Sequence, residues 1–231
     1  MLKLSKGICY LIYKKLTYYT LLIFTLSSLN VKAQFEINGS AVHTGGGDYL
    51  LTPASGAQVG SIWFKNKISL EESFDLDFEL YFGTKNGGAD GISFCLQPLS
   101  TSIGVSGGGL GIQGINPSFF AEFDTYRNSG DPDFDHIAIQ KNGDVLNTGV
   151  NNLASAVRIK SGIDNVENGQ WYPMQVKWDA TLKKFDLYVD CTLRISYTGD
   201  IVNSIFGGNP NVYWGFTAST GGTNNEHRVR N

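Results

Sequence analysis

Apolar and polar residues alternate with a period of two along much of the chain. Phe74, Leu76, Phe78, Leu80 and Phe82 interleave with Asp75, Asp77, Glu79 and Tyr81. Successive side chains of a strand point to opposite faces, so this stretch predicts a strand with one dry and one wet face. Met174, Val176 and Trp178 alternate with Gln175 and Lys177, and Phe185, Leu187 and Val189 with Asp186, Tyr188 and Asp190. Further strands are expected at 61–64, 91–96, 119–125, 136–140, 193–197 and 212–218. Turn formers separate them at 85–88, at Asn142-Gly143-Asp144, at 207–210 and at Gly221-Gly222. No long helical period occurs, and residues 154–163 are expected to hold a helical turn at most. There is no internal repeat and no Pro-rich or Ser-rich linker. Residues 34–231 therefore read as one all-β antiparallel sandwich. Glu226–Arg230 reads as the opening of a closing strand, expected to be cut short at Asn231.

Composition fits that reading. The 231 residues include 28 Gly and 13% aromatics, and charged residues make up only 17%, against about 25% in typical soluble domains. A core of this size needs no disulfide staple. Trp63, Trp171, Trp178 and Trp214 fall in strand segments and are expected in the core. Cys95 and Cys191 are expected as two buried thiols rather than a bridge, Cys191 sharing a face with Phe185, Leu187 and Val189. His43 and His227 are expected on the solvated surface.

Residues 1–33 differ from the rest. They carry Lys3, Lys6, Lys14, Lys15 and Lys32, no acid, an apolar run around Leu21-Leu22-Ile23-Phe24, and Val31-Lys32-Ala33. A basic start, a short apolar run and a small–x–small end read as a secretory signal peptide, which predicts a secreted or surface-exposed domain starting at Gln34. Without those five lysines, 13 Lys and Arg face 21 Asp and Glu, a net charge of −8. An acidic exported domain is a poor partner for nucleic acid or anionic membranes. No later stretch is long and apolar enough to span a bilayer. Acids clustered in one loop would suit cations instead.

Such a cluster exists. Glu122, Asp124, Asn128, Asp131, Asp133, Asp135 and His136 fall within the segment Phe120–Ile139. Glu122 and Asp124 share one face of a strand that is otherwise apolar, where unpaired carboxylates are costly. Carboxylates so close repel unless a positive charge sits between them. Calcium takes six to eight oxygen ligands, and an imidazole among carboxylates suits Mn²⁺ or a similar ion. The mixture fits two metals sharing carboxylates. The plainer alternative is an acidic surface loop, since Asp131-Pro132 and Ser129-Gly130 are ordinary turn chemistry.

Four segments, taken in order, resemble the legume (L-type) lectins and their bacterial relatives. They are Gly88-Ala89-Asp90-Gly91-Ile92-Ser93-Phe94, Gly107-Gly108-Gly109-Leu110-Gly111, Ala121–Ile139, and Trp214-Gly215-Phe216-Thr217-Ala218 followed by Thr220-Gly221. The resemblance covers nearly all of residues 35–231. It implies a concanavalin A-like jelly roll with a flat back sheet, a curved front sheet and a shallow pocket for a pyranose. It implies Glu122, Asp124, Asp131 and His136 as ligands of Mn²⁺ or a similar transition metal. It implies Asp124, Asn128, Asp131 and the Tyr126 carbonyl as ligands of Ca²⁺. Asp90 and Asn128 would bond sugar hydroxyls, Gly108 or Gly109 would add a backbone N–H, and the Tyr126 ring would stack on the sugar. The loop of Gly221–Asn224, including Gly222, would tune which sugar is chosen, and the Ala89–Asp90 bond would be cis. Asn128 and Asp131 stand closer than is usual in the family, so Asp133 or Asp135 is the alternative ligand to Asp131.

The partners implied are glycans or glycoconjugates, bound by single weak sites that gain avidity through oligomers or repetition in a larger protein. Two rival functions share the architecture. Glycoside hydrolase family sixteen carries Glu-x-Asp-x-x-Glu on one strand, and retaining hydrolysis needs two carboxyls about 5–5.5 Å apart. Here Arg127 stands where the third acid belongs, so no enzyme activity is expected. An adhesion module without sugar binding would have no need of Asp90, Asn128 and the glycine loop together.

Overall fold

The computed structural model describes residues 34–103 and 109–231. The leader expected at 1–33 lies outside them. The described strands form two antiparallel sheets. The front sheet runs in the order β1 (Phe35–Gly39), β4 (Val59–Phe64), β14 (Asn211–Ser219), β7 (Gly91–Gln97), β8 (Phe119–Asp124), β9 (His136–Lys141), β10 (Asn152–Arg158), with β5 (Ile68–Ser69) also paired to β14. The back sheet runs in the order β13 (Thr192–Thr198), β12 (Lys184–Val189), β11 (Trp171–Asp179), β6 (Phe74–Tyr81), β15 (His227–Arg230), β3 (Asp48–Thr52), β2 (Val42–Gly45). This is a jelly-roll sandwich.

Alternation decides which residues fill the space between the sheets. From the back come Phe78, Leu80, Met174, Val176, Trp178, Phe185 and Leu187, and from the front Phe94, Phe119, Ala121, Phe123, Ile137, Ile139 and Phe216. Each such side chain contributes about 1.5–3 kcal/mol on leaving water. The outward residues of β6 are half-buried or exposed, as its one-dry-face pattern predicts. The front sheet is different. β7 and β8 are buried along their whole length, because Leu110, Ile112 and Ile115 fold over the outer face onto Trp63, Cys95 and Phe120.

Four expectations need correction. Residues 152–158 form β10 rather than part of a helical turn; two register shifts against β9 break the alternation that would have marked a strand. The one described helix is a single turn, α1 (Ile201–Ser204), capped by the Asp200 side chain, which accepts from the Asn203 amide. Cys191 is exposed and no disulfide joins it to buried Cys95; β12 ends at Val189, and Asp190 and Cys191 turn the chain with φ of 49° and 61°. His227 is fully buried, because β15 lies between β6 and β3, and its Nδ1 is 2.7 Å from Thr52 Oγ1. Trp171 is only half-buried, facing outward beneath the Arg230 guanidinium at 4.1 Å; the other three tryptophans are buried. Strands β1, β2 and β3, which alternation did not mark, complete the two sheets.

Candidate functional site

Directly paired residues of antiparallel neighbours share a face, so register builds the site in rows on the outer side of β7, β8 and β9. Cys95, Phe120 and Gln140 form one row, Ser93, Glu122 and Ala138 the next, and Gly91, Asp124 and His136 the last. Small neighbours at Ser93, Ala138 and Gly91 leave room for the two carboxylates. A Cβ on Gly91 would lie 2.2 Å from the Phe123 carbonyl oxygen, so this close approach requires glycine.

Glu122 is fully buried and neither carboxyl oxygen has a hydrogen-bond partner. His136 Nε2 lies 3.4 Å from Oε1, an ion-pair distance without a hydrogen bond. Burial raises the Glu122 carboxyl above the usual range, with His136 opposing. Asp124 is raised further, by burial first and by the Glu122 charge second, although the Tyr126 amide donates to its Oδ1 at 2.8 Å. For both groups burial makes the charged form costly, and a nearby positive charge would offset that cost.

The loop after β8 returns toward them. Asp131 Oδ2 accepts from the Asn128 amide at 2.8 Å, and Asn128 Nδ2 donates to the Tyr126 carbonyl at 3.3 Å. Asp131 Oδ1 accepts from Asn147 Nδ2 at 2.9 Å, and the same nitrogen lies 2.9 Å from His136 Nε2. Asn147 thus joins Asp131 to His136, and its Oδ1 is buried without a partner. Sequence reasoning missed Asn147, which lies in a polar turn without periodicity. Asp133 is exposed, and Asp135 turns the other way, its Oδ2 accepting from the Val166 amide at 2.6 Å. Among the described residues no three His, Cys, Asp and Glu side chains gather closely enough to hold a metal by themselves. Yet Glu122 Oε1 and Oε2, both polar atoms of Gln140, Asn147 Oδ1 and Asp90 Oδ2 are buried and unpartnered. Most buried polar atoms are paired, so this concentration of orphaned atoms, most of them acceptors, fits a cation with its water ligands.

Asp90 follows a cis Ala89–Asp90 bond. Its carbonyl accepts from the Thr125 amide at 3.1 Å, and its amide donates to the Ser219 carbonyl at 3.0 Å. These bonds tie it to the end of β8 and the end of β14. Its carboxyl is buried beside Gly221, with Oδ2 unpartnered, and burial raises it to about 6. Leu110 lies against the neighbouring Gly91 position and accepts from Thr217 Oγ1 at 2.7 Å through its carbonyl. The structure therefore brings Asp90, the end of the glycine loop and the loop after β14 together. Gly108 lies outside the described residues. Tyr126, Asn128 and Gly222 are exposed.

A cavity of about 440 Å³ opens beside Tyr126, lined by Asp124 and His136 of the acidic cluster and also by Gly87, Arg127, Asp135 and Glu167. Of the sugar-site residues only Tyr126 lines it, and Glu122 does not. Glu167 was not anticipated either. Its carboxylate accepts from the Gly87 amide and from Asn225 Nδ2, each at 2.8 Å, while burial raises it to about 7.

A model of the legume lectin β-barrel domain matches residues 26–231. The chain belongs to the legume (L-type) lectin family. Lectins of known structure share its fold: the basic winged bean lectin with Tn-antigen superposes with a TM-score of 0.68 at 23% identity, over 85% of this chain and 90% of that one. The exoplasmic/lumenal domain of VIP36, in a form bound to Ca²⁺ and Man3GlcNAc, gives 0.67 at 18% identity, over 85% of this chain and 81% of that one. Pesticidal crystal protein Cry22Aa of Bacillus thuringiensis is 27% identical over 87% of this chain and 32% of its own length. This L-type lectin domain spans no more than about a third of the first curated relatives it matches.

Proposed function

We propose that this is an exported carbohydrate-binding domain that takes a pyranose at Asp90 and depends on calcium and a manganese-type ion. The observation that carries the reading is the group of unpartnered buried acceptors on Glu122, Gln140 and Asn147, together with the buried Asp90 carboxyl, whose Oδ2 has no partner. Glu122, Asp124, Asp131 and His136 would hold the transition metal. Asp124, Asn128, Asp131 and the Tyr126 carbonyl would hold calcium, which neutralises the carboxylates and fixes the loop after β8.

The residues of this chain then divide the recognition. An ionised Asp90 accepts from sugar hydroxyls, while the Asn128 amide and a backbone N–H of Gly108 or Gly109 donate to them. Tyr126, exposed at the rim, offers a ring for the apolar face of the sugar. Gly222 leaves space in the loop that selects among sugars. Binding rather than hydrolysis suits this arrangement, because Glu122 is sealed from the cavity and Arg127 replaces the third acid of the hydrolase pattern.

A glycan array run with calcium and manganese, and repeated in EDTA, tests the proposal. Retention that disappears on chelation is expected. Asp90→Asn should weaken retention by about tenfold or more, since a pure acceptor becomes partly a donor, while the melting temperature holds. Retained affinity in that variant would remove Asp90 from the site.

A further inference from the structure

We propose that Glu167 is a positioning residue whose buried carboxylate ties the loop carrying Asp90 to the loop after β14, and so holds the sugar site in register. The inference rests on the lectin reading for its function, and its geometry is read from hydrogen bonds that none of the proposed metal ligands makes.

Three segments distant in sequence meet at this carboxylate. Gly87 Nα donates to Oε2 at 2.8 Å and Asn225 Nδ2 donates to Oε1 at 2.8 Å, with the Gly88 amide also supporting the charge. Asn225 is itself buried and fully engaged. Its Oδ1 accepts from the amides of Thr84 and Glu226, each at 3.2 Å, and its Nδ2 also donates to the Lys85 carbonyl at 3.1 Å. Asn225 cannot turn its amide over without losing these bonds. The fit is tight: a Cβ on Gly88 would lie 2.4 Å from Asn225 Nδ2 and 2.7 Å from Glu167 Oε1. A Cβ on Gly83 would lie 1.9 Å from Asn225 Oδ1. Residues 83–88 are thus pinned at both ends of the stretch that leads into the cis Ala89–Asp90 bond.

Every group aimed at the carboxylate is a donor, so it serves best when ionised. Protonation would place an O–H against N–H groups. The surrounding elements carry Lys85, whose Nζ donates to Asn224 at 2.5 Å, Asp135 and Asp164 on the loops across the cavity, and Glu226 beyond Asn225. Among them Asp135 acts on Glu167 by charge and raises it, in the same direction as burial.

Glu167→Gln keeps the size and removes the charge. In that variant, amide exchange across residues 84–90 should quicken roughly tenfold at matched pH, as for the loss of bonds to a charged acceptor. The strand amides of β7 and β8 should not change. Retention on the glycan array at pH 8 should weaken by a similar factor. A residue acting only on global stability would quicken exchange in β7 and β8 as well. Unchanged exchange in 84–90 overturns the clamp, and quickened exchange with unaltered glycan retention overturns its role in positioning. Should Glu167→Gln fail to fold, Glu167→Asp, which keeps the charge but shortens its reach to Gly87 and Asn225, decides the same question by the same exchange measurement. Failure of the lectin reading would show in the wild-type protein, which would retain no glycan; failure of the inference shows only in the comparison.

Discussion

The outer face of β7, β8 and β9 has two ends with opposite chemistry. At one end Cys95 and Phe120 are sealed by Trp63, Leu110, Ile112 and Ile115. One row further along the same strands stands Glu122 and two rows further stand Asp124 and His136, in equivalent positions, with both Glu122 carboxyl oxygens unpartnered. Both ends are buried, so burial alone does not distinguish core from site. The difference is satisfaction: the packing of Cys95 and Phe120 is complete in the folded chain, whereas the polar atoms from Gln140 to Glu122 are buried without partners. A site can be this demanding because the sealed end and the inter-sheet core hold its strands in place.

The comparison can be broken most severely at the apolar end. Phe120→Ala should cost about 3–5 kcal/mol, the range for emptying a buried aromatic site. Denaturant unfolding should show this loss equally with calcium and in EDTA; a loss seen only with calcium would mean that the two ends are not separable.

The polar end should behave in the opposite way. Added calcium and manganese should stabilise the wild-type domain by about 2.7 kcal/mol at a hundredfold excess over Kd. Glu122→Gln should abolish that increment while leaving the metal-free protein as stable as before or more so, because an unpaired buried carboxylate is removed. Thermal melts of both proteins with and without EDTA check this, and an increment that survives in the variant would take Glu122 out of the metal centre.

The smallest effect is the dependence on pH without metal. Burial raises Asp90 and Asp135 to about 6 and Glu167 to about 7. A carboxyl raised in the folded state contributes stability below its ordinary range near 4, and that contribution is lost as pH rises through the folded value. The metal-free domain should therefore melt at progressively lower temperature between pH 5 and pH 7.5. A melting temperature that climbs over this interval would show that these acids are better solvated than their burial indicates.

How much could be read in advance follows from the range of each interaction. The alternation along β6, β11 and β12 and the pairing of Glu122 with Asp124 on one face are local, with a period of two, and they were legible. So were the turns that separate the strands. Register shifts hid β10, and a four-residue helix such as α1 is too short to leave a period. His227 looked like a surface residue because its burial comes from β3 and β6, far away in the chain. Asn147 and Glu167 sit in polar turns that resemble any other, and their partners are remote: Gly87 is 80 residues from Glu167 and Asn225 is 58.

The order of residues alone determined that this chain makes antiparallel strands and that two acids stand side by side on a strand otherwise suited to the interior. Backbone geometry forces this, since neighbouring side chains must alternate in direction. Only the tertiary structure decided that those acids are buried yet unsatisfied, that Asp90 lies at the end of the same strands, and that Glu167 and Asn225 lock the loop before it. Such contacts arise where separate loops converge over a sheet, and convergence depends on strand order and register, which no local pattern encodes.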